Sequence, residues 1–302
     1  MKFMNEWNIF GMPKYHPKNI LDDGKVSDAL KIMFKDWFNY LGLEKNLQEI
    51  LLKSTFDSFK NYSTKTGLID ERLREEYQKA GVIDKIHEKL KTRANSIYKM
   101  ISPFVNGSVL DIGCGPGEVA QMIHDKKHLS ITLTDIIDLD LRQKFAPTLH
   151  FTLKDDAKGL PYKDNQFDTS LLITVLHHCS NPLLELEEAA RVTKGNIVIV
   201  ETIYGVGRDS TPEAEYKRTP MFYDRFHNLD GEQQRKYGTF LDWFLNKMII
   251  GNEVNCPYNF NSLGNWEDTF KSMDLELVHK KVLGVDQPAT PEYHVLYVVK
   301  KK

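Results

Sequence analysis

Residues 107 to 117 read Gly107-Ser108-Val109-Leu110-Asp111-Ile112-Gly113-Cys114-Gly115-Pro116-Gly117. The run Val109 to Ile112 has the length of a short buried strand and carries one acid, Asp111. It breaks into glycines at alternate positions, and Glu118 to His124 then follows a helical pattern. The reading is strand, tight turn, helix. Glycine reaches backbone angles that other residues avoid and lets a ligand touch the main chain. The N–H groups at the start of the following helix face such a ligand.

The neighbouring runs narrow the reading. Ile131 to Thr134 is a second apolar run and ends in Asp135, 18 residues beyond Gly117. An acid about 20 residues past a glycine turn, at the end of a second strand, suits the two hydroxyls of a ribose. Further on come Asp155-Asp156-Ala157, Leu160-Pro161, Asp164 to Asp168, and Leu171 to His178. Taken alone, the glycine turn also fits any α/β protein or a dinucleotide-binding loop. That loop spaces its glycines G-x-G-x-x-G, whereas this chain has G-x-G-x-G and a proline.

Over Gly107 to Thr202 the sequence resembles the class I S-adenosylmethionine (SAM)-dependent methyltransferases, in the group that includes quinone and small-molecule methyltransferases. The three-glycine turn resembles that family's first motif, Asp135 its ribose-binding acid, and Asp156-Ala157 its adenine-edge pair. Leu160-Pro161 through Asp168 resembles the run into the fourth strand. Arg191 to Gly195 followed by Asn196 to Val200 resembles the entry to the fifth, with the usual Lys-Pro-Gly-Gly reduced to Lys194-Gly195. The resemblance implies SAM as cofactor and S-adenosyl-L-homocysteine as product. It implies a cofactor site made by Asp111, Gly113, Gly115, Gly117, Asp135, Ile136, Asp156, Ala157 and Thr174.

Composition bounds the alternatives. A length of 302 residues suits one large domain or two modest ones. The formal charge of −2 gives no global reason to expect nucleic acid as a partner. Cys114, Cys179 and Cys256 are scattered and odd in number, which fits a reducing compartment. Asn5, Glu6 and Asn8 stand where a signal peptide would be apolar, and no run reaches the ~18 apolar residues of a membrane span. A soluble cytoplasmic protein without a transmembrane segment is expected.

Along the chain, residues 1 to 25 read as an irregular arm, and residues 1–100 as a whole as a helical N-terminal cover. Ser27 is the expected cap of a helix whose face is Leu30, Met33, Phe34, Trp37, Phe38 and Leu41. Core packing is the simplest role for that aromatic face. Further helices are expected over Leu47 to Tyr62, with Ile50, Leu51 and Phe56 inward, over Glu71 to Ala80, and over Asp84 to Ile101. Residues 101–302 then form the cofactor-binding domain. Strands are expected at 108–112, 130–135, 149–153, 168–174 and 196–202, alternating with helices at 116–125, 139–146 and 182–193. Such alternation means a parallel sheet. An insertion at about 204–261 follows, holding the aromatic and basic run Pro220 to His227 and a helix from Gln233 to Ile250. A helix over Trp266 to Met273 and strands over Leu275 to Leu283 and Tyr293 to Val299 close the chain. The expected fold is α/β: a Rossmann-like, seven-stranded, mostly parallel sheet with a C-terminal antiparallel pair. Ligands of such sheets sit beyond the carboxyl ends of the strands.

Methyl transfer from a sulfonium needs the nucleophile, methyl carbon and sulfur in line, and much of the acceleration comes from holding that line away from water. A hydroxyl or carbon-acid nucleophile adds the need for a base, and His is the usual choice near neutral pH. His178 and Glu201 are the catalytic candidates, with Glu201 either a base or the group that orients one. His177, Tyr204, Tyr223, Arg225 and His227 are the acceptor candidates, and each has a plain packing role as its alternative. Arg225 beside Tyr223 and Phe226 would suit an acceptor with a carboxylate or phosphate and an apolar body. Two adjacent histidines lack a set of three or four ligands at known spacing, so no metal is expected. A small-molecule acceptor is expected. A protein or RNA methyltransferase and a non-catalytic SAM binder stay open. The Asp/Asn-Pro-Pro-aromatic run of amino-adenine methyltransferases is replaced here by Thr174-Val175-Leu176-His177.

Overall fold

A computed structural model describes residues 17–60, 71–155, 158–249, 256–287 and 290–302. Its helical part opens with α1 (Pro17–Leu21), α2 (Gly24–Tyr40), α3 (Lys45–Lys60), α4 (Glu71–Lys79) and α5 (Val82–Ile101). The alternating part is β1 (Val109–Ile112), α6 (Glu118–Lys127), β2 (Ile131–Asp135), α7 (Asp140–Phe145), β3 (His150–Leu153), β4 (Phe167–Ile173), α8 (Pro182–Val192) and β5 (Thr193–Tyr204). Then come α9 (Glu213–Arg218), α10 (Pro220–His227), α11 (Gly231–Ile249), β6 (Asn261–Ser262), α12 (Leu263–Ser272), β7 (Leu275–Gln287) and β8 (Thr290–Lys301). The chain divides into two compact units. One holds the described residues up to 90, with 202–263 and 282–294; the other holds 91–201, 264–281 and 295–302.

The sheet runs in the order β3-β2-β1-β4-β5-β8-β7, with β1 to β4 wholly in the second unit. Strands β1 to β5 are parallel, with Asp111 level with Leu133 and Leu171. Leu110, Leu171, Leu172, Val198 and Val200 are fully buried, as parallel strands covered on both faces require. The expected mostly parallel, Rossmann-like sheet with its antiparallel closing pair is present. Seven strands form the main path, as expected, and one more lies off it. The eighth strand, β6, is only two residues long and pairs Asn261 and Ser262 with Ile203 and Tyr204. No alternating pattern announces so short a strand.

At the amino ends of these strands one acid pins three segments. Asp168 accepts hydrogen bonds from Ser108 N and Ser108 Oγ, each at 2.8 Å, and pairs with Lys194 Nζ at 2.9 Å. These partners, the Ser108 backbone N–H first, hold its carboxyl down to about 2. The stability it contributes is therefore present above its ordinary value of 3.8 and is lost as pH falls through about 2. Asp168→Asn is expected to cost about 1 kcal/mol at neutral pH, a small figure because the site is solvent-screened. Urea unfolding at several pH values checks this: the deficit should shrink as the acid limb is approached.

The first unit is built on aromatic packing. Phe34 meets Phe244 at 5.0 Å, and Phe59 meets Phe240 at 4.6 Å and Trp243 at 4.7 Å, all edge-on. Such pairs add about 0.5–1.5 kcal/mol beyond their burial. The aromatic face of α2 is thus core. Two sequence expectations change here. Asp23, not Ser27, caps α2: its side chain accepts from Val26 N, and its carbonyl already takes the first helical bond from Ser27 N. Ile50 faces solvent at 59% exposure, because the buried stripe of α3 is Gln48, Leu51, Thr55 and Phe59. The run Pro220 to His227 is helical, with Phe222, Tyr223 and Phe226 buried, and α9 precedes it. The expected irregular arm at 1 to 25 is helical over α1 and the start of α2, because Pro17 and Asp23 open helices there; residues 1–16, and Tyr62 and Ile250 at the ends of two expected helices, lie outside the described residues.

Candidate functional site

The turn after β1 is preformed. Gly113 N and Cys114 N both donate to Thr134 O, at 2.8 and 3.1 Å, and Gly117 N donates to Cys114 O at 3.0 Å. Gly113, Gly115 and Gly117 all have positive φ, at 67°, 52° and 82°. Two of them need glycine for different reasons. A Cβ on Gly113 would lie 2.0 Å from Val175 Cγ2, so the turn presses directly on the segment that follows β4. A Cβ on Gly115 would meet nothing within 4 Å, so this backbone is open to a ligand.

Three acids surround the turn. Asp135 accepts from Gly115 N at 2.8 Å, Ile136 N at 2.7 Å and Ile137 N at 3.2 Å. Burial raises its pKa, against those three N–H groups and Lys154. Asp111 is buried, and burial, then Asp135 and Glu118, push it up to about 8. Glu118 opens α6, and burial raises it despite Arg93. Its Oε1 is buried with no hydrogen-bond partner among the described residues. Sequence reasoning passed over Glu118. The available signal was an acid in the first turn of the helix that follows the glycines.

The segment after β4 is clamped by Glu201. Its carboxylate is fully buried and accepts from Val175 N at 3.0 Å and Leu176 N at 2.7 Å. Its second oxygen meets His177 Nδ1 at 2.6 Å. A carboxylate accepts only, so Nδ1 carries the hydrogen. His178 is half-buried, its ring 4.3 Å from that of His177. Thr174 has a φ of 55°, a left-handed conformation that a β-branched residue rarely adopts, and its N–H is held by Val200 O at 2.7 Å.

The structure therefore brings Asp111, Gly113, Gly115, Gly117, Asp135, Ile136, Thr174, His177, His178 and Glu201 to the carboxyl ends of β1, β2, β4 and β5 in one unit. Asp156 and Ala157 lie outside the described residues. Tyr204, Tyr223, Arg225 and His227 belong to the other unit. Tyr223 is buried and its hydroxyl accepts from Val285 N at 2.9 Å. His227 stacks on Tyr223 and its Nε2 bonds Thr211 Oγ1 at 2.8 Å; burial, then Arg208, lowers its pKa. Arg225 lies on the exposed side of α10, and Tyr204 is half-buried, with its hydroxyl raised by burial.

The site fits a cationic nucleotide-like ligand. Open backbone at Gly115, an acid at the end of β2 and an unpartnered Glu118 oxygen supply a cradle, a hydroxyl acceptor and a further acceptor, beside an Asp111 carboxyl that a neighbouring cation would favour ionising. No helix among the described residues is long and apolar enough to cross a membrane.

Residues 110–200 match a family model described as a methyltransferase domain. Over 110 residues the chain is 31% identical to the malonyl-[acyl-carrier protein] O-methyltransferase of Buchnera aphidicola, covering 36% of this chain and 44% of that one. It is 29% identical over 140 residues to the tRNA U34 carboxymethyltransferase of Campylobacter fetus, covering 42% and 49%. An uncharacterized protein of Methanocaldococcus jannaschii is 24% identical over 172 residues, covering 57% and 62%. The chain thus spans less than two thirds of the length of each of these relatives.

Proposed function

We propose that residues 110–200, which match the methyltransferase-domain model, form a class I, SAM-dependent methyltransferase domain and that the protein moves a methyl group from SAM to a small-molecule acceptor. The observation that carries the cofactor half is the open backbone at Gly115, tied to Asp135 and flanked by Asp111 and Glu118. SAM supplies an electrophilic methyl on a sulfonium. The chain binds and orients. Asp135 accepts hydrogen bonds from the ribose, Ile136 borders the same end, and Asp156 with Ala157 takes the adenine edge. Gly113, Gly115 and Gly117 let the backbone approach the cofactor, and Asp111 faces its cationic end. Thr174 begins the segment that carries His177 and His178. Glu201 acts as an orienting group, since its oxygens already hold that segment and His177. His178 is the base offered to an acidic acceptor. Of the insertion's candidates, Tyr223 supports the ring of His227, and Tyr204, Arg225 and His227 are offered to the acceptor.

The small-molecule reading is supported by charge. Arg142, Arg191, Arg208, Arg218 and Arg235 are each paired with a carboxylate. Nucleic acid needs basic groups ready for phosphates. Incubating the protein with methyl-labelled SAM and a cell extract tests the reading, with Asp135→Ala as control. Label in the small-molecule fraction supports it. Label in RNA or protein overturns the acceptor. Unchanged SAM affinity in Asp135→Ala overturns the site.

Binding should be proton-linked. Asp111 titrates near 8 in the ligand-free fold, above its ordinary 3.8, so the stability it contributes is complete below about 4 and lost as pH rises through about 8. A cation beside it favours the carboxylate. SAM affinity is therefore expected to rise with pH, by up to about tenfold per unit, and to level off above about 8. Titration calorimetry across that range checks this. Asp111→Asn should flatten the slope, and a wild-type affinity independent of pH would place Asp111 away from the cationic end.

A further inference from the structure

Helix α8 carries Glu185, Glu188 and Arg191 at three-residue spacing, on one side of the helix. All three engage the connection between β3 and β4. Glu185 forms a buried ion pair with Lys154, their side chains 8% and 5% exposed. Lys154 N in turn donates to Asp135 O at 2.8 Å, and the Lys154 charge acts to lower the pKa of Asp135. Glu188 accepts from Leu160 N at 2.7 Å, and a Cβ on Gly159 would lie 2.5 Å from the same carboxylate. The Arg191 guanidinium donates to Leu160 O at 2.9 Å and Tyr162 O at 2.8 Å, and pairs with Asp164 and Glu188. Arg191 O also accepts from Asn165 N at 2.9 Å.

This is more polar machinery than a loop needs to stay closed. Buried ion pairs rarely add net stability, because desolvation offsets the attraction, and Glu185 keeps one buried oxygen without a hydrogen-bond partner among the described residues, so the pair is read as fixing Lys154 in place. The planar, forked guanidinium sets two carbonyls at once in a fixed geometry, which a lysine's rotatable ammonium does not impose. In sequence, Lys154, held by Glu185, lies before Asp156–Ala157, and Leu160 and Tyr162, held by Glu188 and Arg191, lie after it.

We propose that Glu185, Glu188 and Arg191 are positioning residues for the adenosine half of the cofactor, acting through Lys154 and through the backbone of residues 159–162. This rests on reading Asp135 and Asp156 as the ribose and adenine contacts. α8 thereby sets base selectivity from behind the site, without touching the cofactor.

The test compares binding of S-adenosyl-L-homocysteine with that of its hypoxanthine analogue, S-inosyl-L-homocysteine, by calorimetry on the full chain. The two differ at the base edge that Asp156 would read. Wild type should prefer adenine. Glu188→Gln and Arg191→Lys should lower that preference about tenfold, the size of one misaligned hydrogen bond. Arg191→Lys keeps the charge and stands in if Glu188→Gln does not fold. A general loss of stability weakens both ligands equally and leaves their ratio unmoved. Variants that melt earlier yet keep the wild-type ratio overturn the proposal alone. A wild type that binds both analogues equally overturns the adenine-edge reading and the proposal with it.

Discussion

Gly113→Ala is expected to destabilise the protein by about 2–5 kcal/mol and to remove most of its SAM binding. Two costs add. A left-handed φ of 67° is strained for alanine by roughly 1–2 kcal/mol. The new methyl would also lie 2.0 Å from Val175 Cγ2, which overpacks the contact by about 1–3 kcal/mol. Because the turn and the segment after β4 move apart together, cofactor loop and histidines lose register in one step. A urea midpoint with unchanged slope measures the loss. The Gly113→Ala/Val175→Ala double variant should recover the steric part and leave the backbone part. A single variant costing less than about 1 kcal/mol would mean that the turn can yield without disturbing its neighbour.

Glu201 gives the second large effect. Glu201→Ala strips the acceptor from Val175 N, Leu176 N and His177 Nδ1 in a buried place. Each orphaned donor costs about 1–3 kcal/mol, so a total of at least about 3 kcal/mol is expected. Glu201→Gln separates fold from chemistry. Its amide oxygen can still accept from the backbone pair, but its NH2 faces His177 Nδ1 as a donor. The imidazole must then accept at Nδ1 and carry its hydrogen on Nε2. Nitrogen-15 shifts of His177 report the tautomer directly. A folded Glu201→Gln protein with the tautomer unchanged would show that another group sets it.

Much of this was legible in residue order, for identifiable reasons. β1 was expected at 108–112 and runs Val109–Ile112, because a buried parallel strand reads as an apolar run closed by glycine. The start of α8 was legible from Asn181 and Pro182, whose cap and first-turn roles are local. Distant partners were not. Lys154 and Glu185 stand 31 residues apart, and neither looks unusual until the fold buries both. The same holds for the Glu201 clamp, whose three donors come from 24 to 26 residues upstream. The positive φ of Thr174 was hidden because β-branched residues argue for the opposite conformation. α10 was hidden because its aromatic and basic mixture lacked a clear face until Phe222, Tyr223 and Phe226 turned inward.

The way the two units share the chain bears on biogenesis. Each is assembled from three separated stretches, and β5, β7 and β8 each pass from one unit into the other. Neither can therefore be finished while the ribosome is still upstream of β8. When residue 201 is made, β4 is in place on one side of β5 but β8 on the other is not, and β5 waits as an open edge. Long-range pairing of this kind slows folding and lengthens exposure of apolar strands. The nascent chain should lean on chaperones during that interval, and expressing either unit by simple truncation would sever the strands that define it.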